Sequence, residues 1–331
     1  MKKNIRLALI LFALSFSGAL LLALGLPAQA QPAKADRVGV VHLGGPFSSI
    51  VDGLRAGLKE LKLEEGKQIV LEIQDTRGDL KSAEEAARKF EQEKAKLIYA
   101  VTAPVVTAAR QVTKDIPIVF NVGSDPVAAG FVQSFVKPGG RLTGVHYLVR
   151  DLTAKRLEIL KEILPKLRAV ITFYDSGNHV SREAAQLGRE EAKRQGIRLV
   201  ERYVTSVEGL RSALNALKAG EADAYFYTAD AMVISQAQLI IETAGAKKLP
   251  TMFHDRSLVA RGALASYGQN YYEIGRRSAK YVQMVLSGSH PSDLKVDTVD
   301  NVELALNLKT AKQLRLSIPA DVLQRASNVI R

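Results

Sequence analysis

The sequence predicts an α/β protein made of two halves of similar design, each a parallel sheet flanked by helices. Three observations carry this prediction. Apolar runs of strand length alternate with amphipathic runs of helix length along the body of the chain. Strands separated by helices of about 10–15 residues form right-handed βαβ units, which require a parallel sheet. A break at Pro138-Gly139-Gly140 separates two such series.

Size and composition agree with this. The chain has 331 residues, 47% of them hydrophobic, enough for two domains each with its own core. It contains no Cys, which excludes disulfides, thiol nucleophiles, Cys-zinc sites and a lipidated Cys anchor. The net charge is +12. Its Lys and Arg are interspersed with Glu on helical faces, as from Arg182 to Arg194. That pattern describes solvated faces, so no nucleic-acid partner is expected.

Residues 1–30 read as a signal peptide. Lys2, Lys3 and Arg6 form a positive start, Leu7 to Leu26 carries no charge, and Ala28-Gln29-Ala30 supplies the small-x-small cleavage pattern. The apolar run is also long enough to span a bilayer as a retained anchor. Export, with a periplasmic or extracytoplasmic location, follows in either case.

The elements follow in order. Arg37 to Leu43 is a strand, and Gly44-Gly45-Pro46-Phe47 a loop. A helix then places Ile50, Leu54, Leu58 and Leu61 on one face. Gln68 to Gln74 is a strand. Asp79 or Ser82 caps the next helix, Ser82 with Glu85 fitting a capping box, and its buried stripe is Leu80, Ala83, Ala87 and Phe90. Leu97 to Val101 and Pro117 to Val122 are strands that end in Thr102-Ala103-Pro104 and Ser124-Asp125-Pro126. Leu142 to Val145 is a crossing strand. Asp151 caps a helix with Leu157, Leu160 and Leu164 inward. Ala169 to Tyr174 is a strand ending in Asp175-Ser176-Gly177-Asn178, and Ser181 begins a helix that stops at Gly196. Strands follow at Arg198 to Val204, Ala224 to Tyr227, Pro250 to Phe253 and Ala263 to Tyr267. The helices between and after them carry Leu210 to Leu217, then Val233 to Ala244, then Tyr271 to Leu286.

Chemistry is sought at the carboxyl ends of the strands, where open α/β sheets bind ligands. No Gly-x-Ser-x-Gly elbow, phosphate-binding glycine loop or helical His pair is present, so neither enzyme nor metal centre is expected. The strand ends instead carry Thr102, Asp125, Asp175, Asn178, Thr228, Asp230 and Asp255. A helix start suits a ligand carboxylate and a cleft carboxylate suits a ligand amine, so together they suit a zwitterion. Tyr267 and Phe47 offer rings on which a ligand stacks. Several acids and no evident cleft Arg argue against a purely anionic solute.

Four stretches carry a resemblance. They are Ile116-Pro117-Ile118-Val119-Phe120 with Ser124-Asp125-Pro126-Val127, Pro138 to Val145, Arg261 to Gly268, and Asn307 to Lys312 with Ser317-Ile318-Pro319. Through them the chain resembles the substrate-binding proteins of ABC transporters with the type 1 periplasmic-binding-protein fold. Within these it is closest to the branch that includes aromatic amino-acid binders. The resemblance implies two Rossmann-like lobes with parallel sheets joined by a multi-stranded hinge. Lobe one would hold 36–145 plus 268–295, and lobe two 146–267 plus 296–331. It implies first-lobe ligand contacts at Thr102, Pro104 and Asp125, and second-lobe contacts at Asn178, Ser181, Thr228, Asp230 and Asp255. Three departures touch these loops: Leu43-Gly44-Gly45-Pro46 opens the first, His179 follows Asn178, and Thr228-Ala229-Asp230-Ala231 lacks the usual Asn. The implied function is capture of an amino acid or amino-acid-like solute by a monomer without cofactor, and its delivery to an ABC permease. A sensor that presents its liganded form to a membrane receptor is the alternative, and an exported enzyme that uses the cleft carboxylates is a less favoured one.

Overall fold

The computed structural model describes residues 35–331; the export segment read at 1–30 lies outside them. The strands are β1 Asp36–His42, β2 Ile69–Asp75, β3 Leu97–Val101, β4 Ile118–Val122, β5 Leu142–Tyr147, β6 Ala169–Tyr174, β7 Arg198–Tyr203, β8 Ala224–Phe226, β9 Thr251–Phe253, β10 Ala265–Gln269, β11 Asp297–Val299, β12 Val302–Asn307 and β13 Asn328–Ile330. The helices are α1 Ser48–Glu60, α2 Leu80–Gln92, α3 Ala103–Val112, α4 Thr153–Ile163, α5 His179–Arg194, α6 Val207–Asn215, α7 Ala231–Ser235, α8 Ala237–Ala246, α9 Arg256–Ala260, α10 Tyr271–Leu286, α11 Leu308–Gln313 and α12 Ala320–Arg325.

Two sheets organise the molecule. The first has the order β11-β5-β4-β3-β1-β2, with every pair parallel. The second has the order β13-β12-β10-β9-β8-β6-β7 and is parallel except for β12 against β10. The central strands β3, β4 and β6 are buried along their whole length, as strands covered by helices on both faces must be. The chain passes between the sheets three times: after β5, between β10 and α10, and between β11 and β12. The result is the type 1 periplasmic-binding-protein fold.

One helix pair is unusually close. A Cβ on Gly275 of α10 would sit 1.8 Å from the Ile50 carbonyl oxygen of α1, and one on Gly53 1.9 Å from that of Tyr272. These glycines let two backbones touch, which fixes α10 on the first sheet although β10 before it belongs to the second.

Several local expectations are corrected. Asp79, not Ser82, caps α2: its carboxylate accepts from the Lys81 amide at 3.0 Å and takes the Ser82 hydroxyl as well. Leu80 is 41% exposed rather than part of the buried stripe, because it begins the helix where the chain leaves the core. Asp151 makes no cap; it pairs with Arg150, and α4 starts after Leu152 without a side-chain cap. Asn178 caps α5, which starts two residues before Ser181. The helical stretch around Val233 breaks at Gln236 into α7 and α8. Leu142 to Tyr147 is, as expected, the strand that leads into the first passage between the sheets, and it lies in the interior of the first sheet between β4 and β11.

Candidate functional site

Strand ends of both sheets open onto one cavity of about 760 Å³. From the first sheet come Thr102, Pro104, Ser124 and Asp125, and from the second Asp175, Asn178, Ser181 and Asp230. Phe47, Tyr147, Tyr227 and Tyr271 supply aromatic surface between them.

Each group is held by local geometry. Thr102 stands between β3 and α3 with φ +86°, a left-handed backbone that a threonine rarely adopts. Its amide donates to the Asn121 carbonyl at 2.8 Å and its carbonyl accepts from the Val106 amide at 3.0 Å. Its hydroxyl is buried, makes no cap and has no partner. Pro104 lies in the first turn of α3, where no amide hydrogen is needed. The Ser124 hydroxyl after β4 and the Ser181 hydroxyl in α5 are likewise buried without a partner. Buried hydroxyls without partners are uncommon in folded proteins, and three of them open onto this cavity.

The acids are tied into the loops. Asp125 is exposed toward the cavity, and one of its oxygens accepts from the Val127 and Ala128 amides at 2.8 and 3.2 Å. Asn178 uses its side-chain oxygen on the Val180 amide at 3.0 Å and the Ser181 amide at 3.4 Å. Asp230 caps α7 through the Val233 amide at 2.9 Å and reaches the Asp175 amide at 2.8 Å. Burial raises its carboxyl above the usual range, and these two amides oppose that rise. Asp175 turns back to the Gly177 amide at 2.8 Å.

Three of the expected residues point elsewhere. Thr228 is fully buried, with its hydroxyl 2.9 Å from that of Thr172. Asp255 caps α9 at the Ser257 amide, takes the Ser257 hydroxyl, and accepts from the Tyr271 amide at 3.3 Å. Burial pushes its carboxyl up to about 6. Tyr267 sits in the middle of β10 opposite Leu304, and its ring packs on the second-lobe core. None of the three lines the cavity.

Other groups were not legible beforehand. Arg150 lines the cavity, paired with Glu183 and with Asp151 at 3.2 Å, so a cleft arginine is present and already neutralised. Tyr147 ends β5 and Tyr271 begins α10, both at passages between the sheets. Their rings meet edge-on at 5.4 Å, and Phe47 stacks on Tyr271 at 5.7 Å. Behind this wall the Tyr271 hydroxyl lies 2.7 Å from His254 Nε2, and His254 stacks on Tyr227 at 4.5 Å. Burial holds all three tyrosine hydroxyls well above their ordinary range, so they stay uncharged.

Arg156 of α4 is fully buried and has no carboxylate partner among the described residues. It donates to the Val149 carbonyl at 2.8 Å and lies 5.7 Å from the Tyr227 ring. Burial lowers it to about 10, so it remains charged at neutral pH and, after desolvation, helps hold the neighbouring His254 far below its ordinary value.

The two lobes touch beside the cavity. The Gln236 side chain donates to the Arg77 carbonyl at 3.0 Å, and Gly45 lies directly against the Ile234 carbonyl.

This geometry has relatives. Residues 40–330 match the family described as ABC transporter substrate binding protein. A curated relative, "Tyrosine-binding protein" of Clostridioides difficile (strain R20291), is 30% identical over 263 residues, 79% of this chain and 75% of its own. A crystal structure of a conserved domain protein from Vibrio cholerae is 32% identical, covers 89% of this chain and 100% of its own, and superposes with a TM-score of 0.79. A Streptococcus ABC domain in complex with L-Trp is 23% identical, covers 90% and 100%, and has a TM-score of 0.78. With two sheets meeting at a polar and aromatic cleft, and a family match along nearly all the described residues, the chain belongs to the ABC transporter substrate-binding proteins, a family that binds solutes.

Proposed function

We propose that the cleft captures an aromatic amino acid as its zwitterion and that the closed protein delivers it to an ABC permease. The observation that carries this reading is the arrangement of the cavity: each lobe brings buried hydroxyls without partners and a carboxylate to it, Thr102, Ser124 and Asp125 from the first and Ser181 and Asp230 from the second, with tyrosine and phenylalanine rings between. The ligand carboxylate would take the Thr102 hydroxyl at the start of α3, where backbone amides have no helical partners, and the Ser124 hydroxyl after β4. The amine would face Asp230 and Asp125, with Pro104 shaping the first-lobe wall and Asn178 and Ser181 completing the second. The side chain would stack on the aromatic wall, in keeping with the tyrosine and tryptophan named for the relatives.

In this reading the open form binds through the first lobe, and closure follows because second-lobe contacts exist only in the closed form. The lobes divide at the three passages between the sheets. Substrate-binding proteins of ABC transporters are extracytoplasmic, and the permease would meet the protein there.

Calorimetric titration with L-tyrosine, L-phenylalanine and L-tryptophan tests the proposal. At least one should bind. Tyramine, which lacks the carboxylate, and 3-(4-hydroxyphenyl)propionate, which lacks the amine, should each bind at least about 10-fold more weakly, as expected when a charged hydrogen-bond partner is left unpaired. Equal binding of all three tyrosine-like compounds, or tight binding of sulfate with no amino acid bound, overturns it.

A further inference from the structure

The charge of the two lobes is distributed very differently. Acids and bases nearly cancel over residues 35–147 and 271–300, whereas 148–270 and 301–331 carry nearly all the positive excess of the described residues. The excess collects at one place. In a parallel sheet all strands start at the same edge, and in the second sheet that edge lies opposite the strand ends that form the cleft. Arg168 precedes β6, Arg198 begins β7, Lys218 lies before β8, and Lys247 and Lys248 lie before β9. Because β12 runs antiparallel to β10, α11 with Lys312 arrives at the same edge, where Thr310 bonds the Gly262 carbonyl at 3.0 Å just before β10. All six cations are exposed, and none has a carboxylate partner among the described residues. The nearby acids are already engaged: Glu221 pairs with Arg202, and Asp223 accepts the Arg168 and Ala169 amides at 2.8 and 2.9 Å.

The corresponding edge of the first sheet is a built-in comparison. There Arg37 pairs with Glu72 and Glu93, Lys67 with Glu64, and Lys96 with Asp36. Three cations of the first edge are thus paired, while Lys62, Lys94 and Lys114 there are not; on the second edge none of the six has a carboxylate partner among the described residues.

We propose that this edge of the second lobe docks on the headgroups of an anionic lipid membrane. From β12 across to β7 the edge spans about five strand spacings, roughly 24 Å. That is a broad array of point charges rather than a site for one small anion. It also lacks what a folded protein partner would need. Among the described residues the exposed large apolar ones are Val70, Leu80, Val127, Val136, Tyr203, Tyr272, Met284 and Val302, and none of these lies at this edge. Exposed Lys and Arg without carboxylate partners, Arg198 and Lys247 held only by the Glu221 and Leu217 carbonyls, on a surface without apolar anchors match a diffuse layer of negative headgroups.

The test uses sedimentation with vesicles of phosphatidylglycerol and phosphatidylcholine in roughly 1:2 proportion, against pure phosphatidylcholine. The unmodified protein should bind the mixed vesicles only and release in about 1 M NaCl, where the screening length falls to about 3 Å. A variant carrying Arg168→Gln, Lys218→Gln, Lys248→Gln and Lys312→Gln changes four side chains with no ion pair and none of the cavity contacts. At about fivefold per charge near the leaflet, it should partition at least about 50-fold more weakly while keeping its circular dichroism spectrum and its amino-acid affinity. A second variant, Lys62→Gln, Lys67→Gln, Lys94→Gln and Lys114→Gln on the first lobe, should partition like the unmodified protein. Absence of binding to anionic vesicles, equal binding to neutral ones, or equal loss in the two variants overturns the proposal.

Discussion

Gly45 gives the most direct test of lobe closure. It opens the 3-10 turn that carries Phe47 into the cavity, and across the lobe contact it faces α7. A Cβ placed on it would stand 2.6 Å from the Ile234 carbonyl oxygen and 2.9 Å from Ser235 Cα and carbonyl. Those atoms are backbone and cannot rotate away, so Gly45→Ala must push the lobes apart. Overpacking of this kind costs about 1–3 kcal/mol, and only in the closed form. Affinity should therefore fall roughly 5- to 150-fold. The substitution also forces alanine into φ +60°, at about 1–2 kcal/mol, but that strain is present with the lobes open or closed and acts on folding rather than on binding. Gly66 separates the two effects. It has φ +83° and nothing within 4 Å of its Cβ position, so Gly66→Ala carries the strain without the wedge. Calorimetry with the best-bound aromatic amino acid and thermal unfolding should show both variants losing stability and only Gly45→Ala losing affinity. Matching affinities in the two variants would refute the account of closure.

Three further predictions concern side chains. Thr102→Val keeps the volume and removes the unpartnered hydroxyl, so unfolding should change little while affinity for the amino acid drops by about 1–3 kcal/mol in titration. Asp125→Asn preserves the oxygen that accepts from Val127 and Ala128, so the melting temperature should hold while amine-bearing ligands weaken by about 1–3 kcal/mol; unchanged affinity would leave Asp125 as a turn residue only. Asp255 titrates near 6 in the folded protein, above its unfolded value of 3.8, so its contribution to stability is fully present below about pH 4 and lost as the pH rises through 6. Urea unfolding should show the stability of Asp255→Asn gaining on the unmodified protein by about 2 kcal/mol between pH 4 and 7, and a constant difference would show that the carboxyl is not buried.

The long central strands were legible because burial on both faces leaves uninterrupted apolar runs, as in Leu97 to Val101 and Ala169 to Tyr174. The short strands β11 and β13 were not. Asp297-Thr298-Val299 and Asn328-Val329-Ile330 have no run of their own and exist through pairing with β5 and β12. Caps were ambiguous where several capping residues are close together, and tertiary partners chose among them: Arg150 takes Asp151 away from its helix. At the site, the strand-end rule found Thr102, Asp125 and Asp230 but could not say which way a strand-end side chain turns. Thr228 turns to Thr172, and Asp255 turns to the amide of Tyr271, a residue that arrives by a separate passage between the lobes. The aromatic wall escaped the reading for the same reason. Tyr147, Tyr227 and Tyr271 are far apart in the chain and share a wall only once three passages bring their elements together.

A protein that works outside the cytoplasm meets whatever acidity its surroundings impose. A histidine in contact with the wall of a solute cavity would ordinarily register those swings, because its charge changes between mild acid and neutrality. Desolvation and the charge of Arg156 together deny His254 that proton. The imidazole stays neutral against Tyr227 and Tyr271, and the surface offered to an arriving side chain keeps one set of hydrogen bonds. Acidity is felt instead behind the wall, at Asp255, where it alters how firmly the chain is folded. The collector thus answers to its solute in the cleft and to the proton only in its frame.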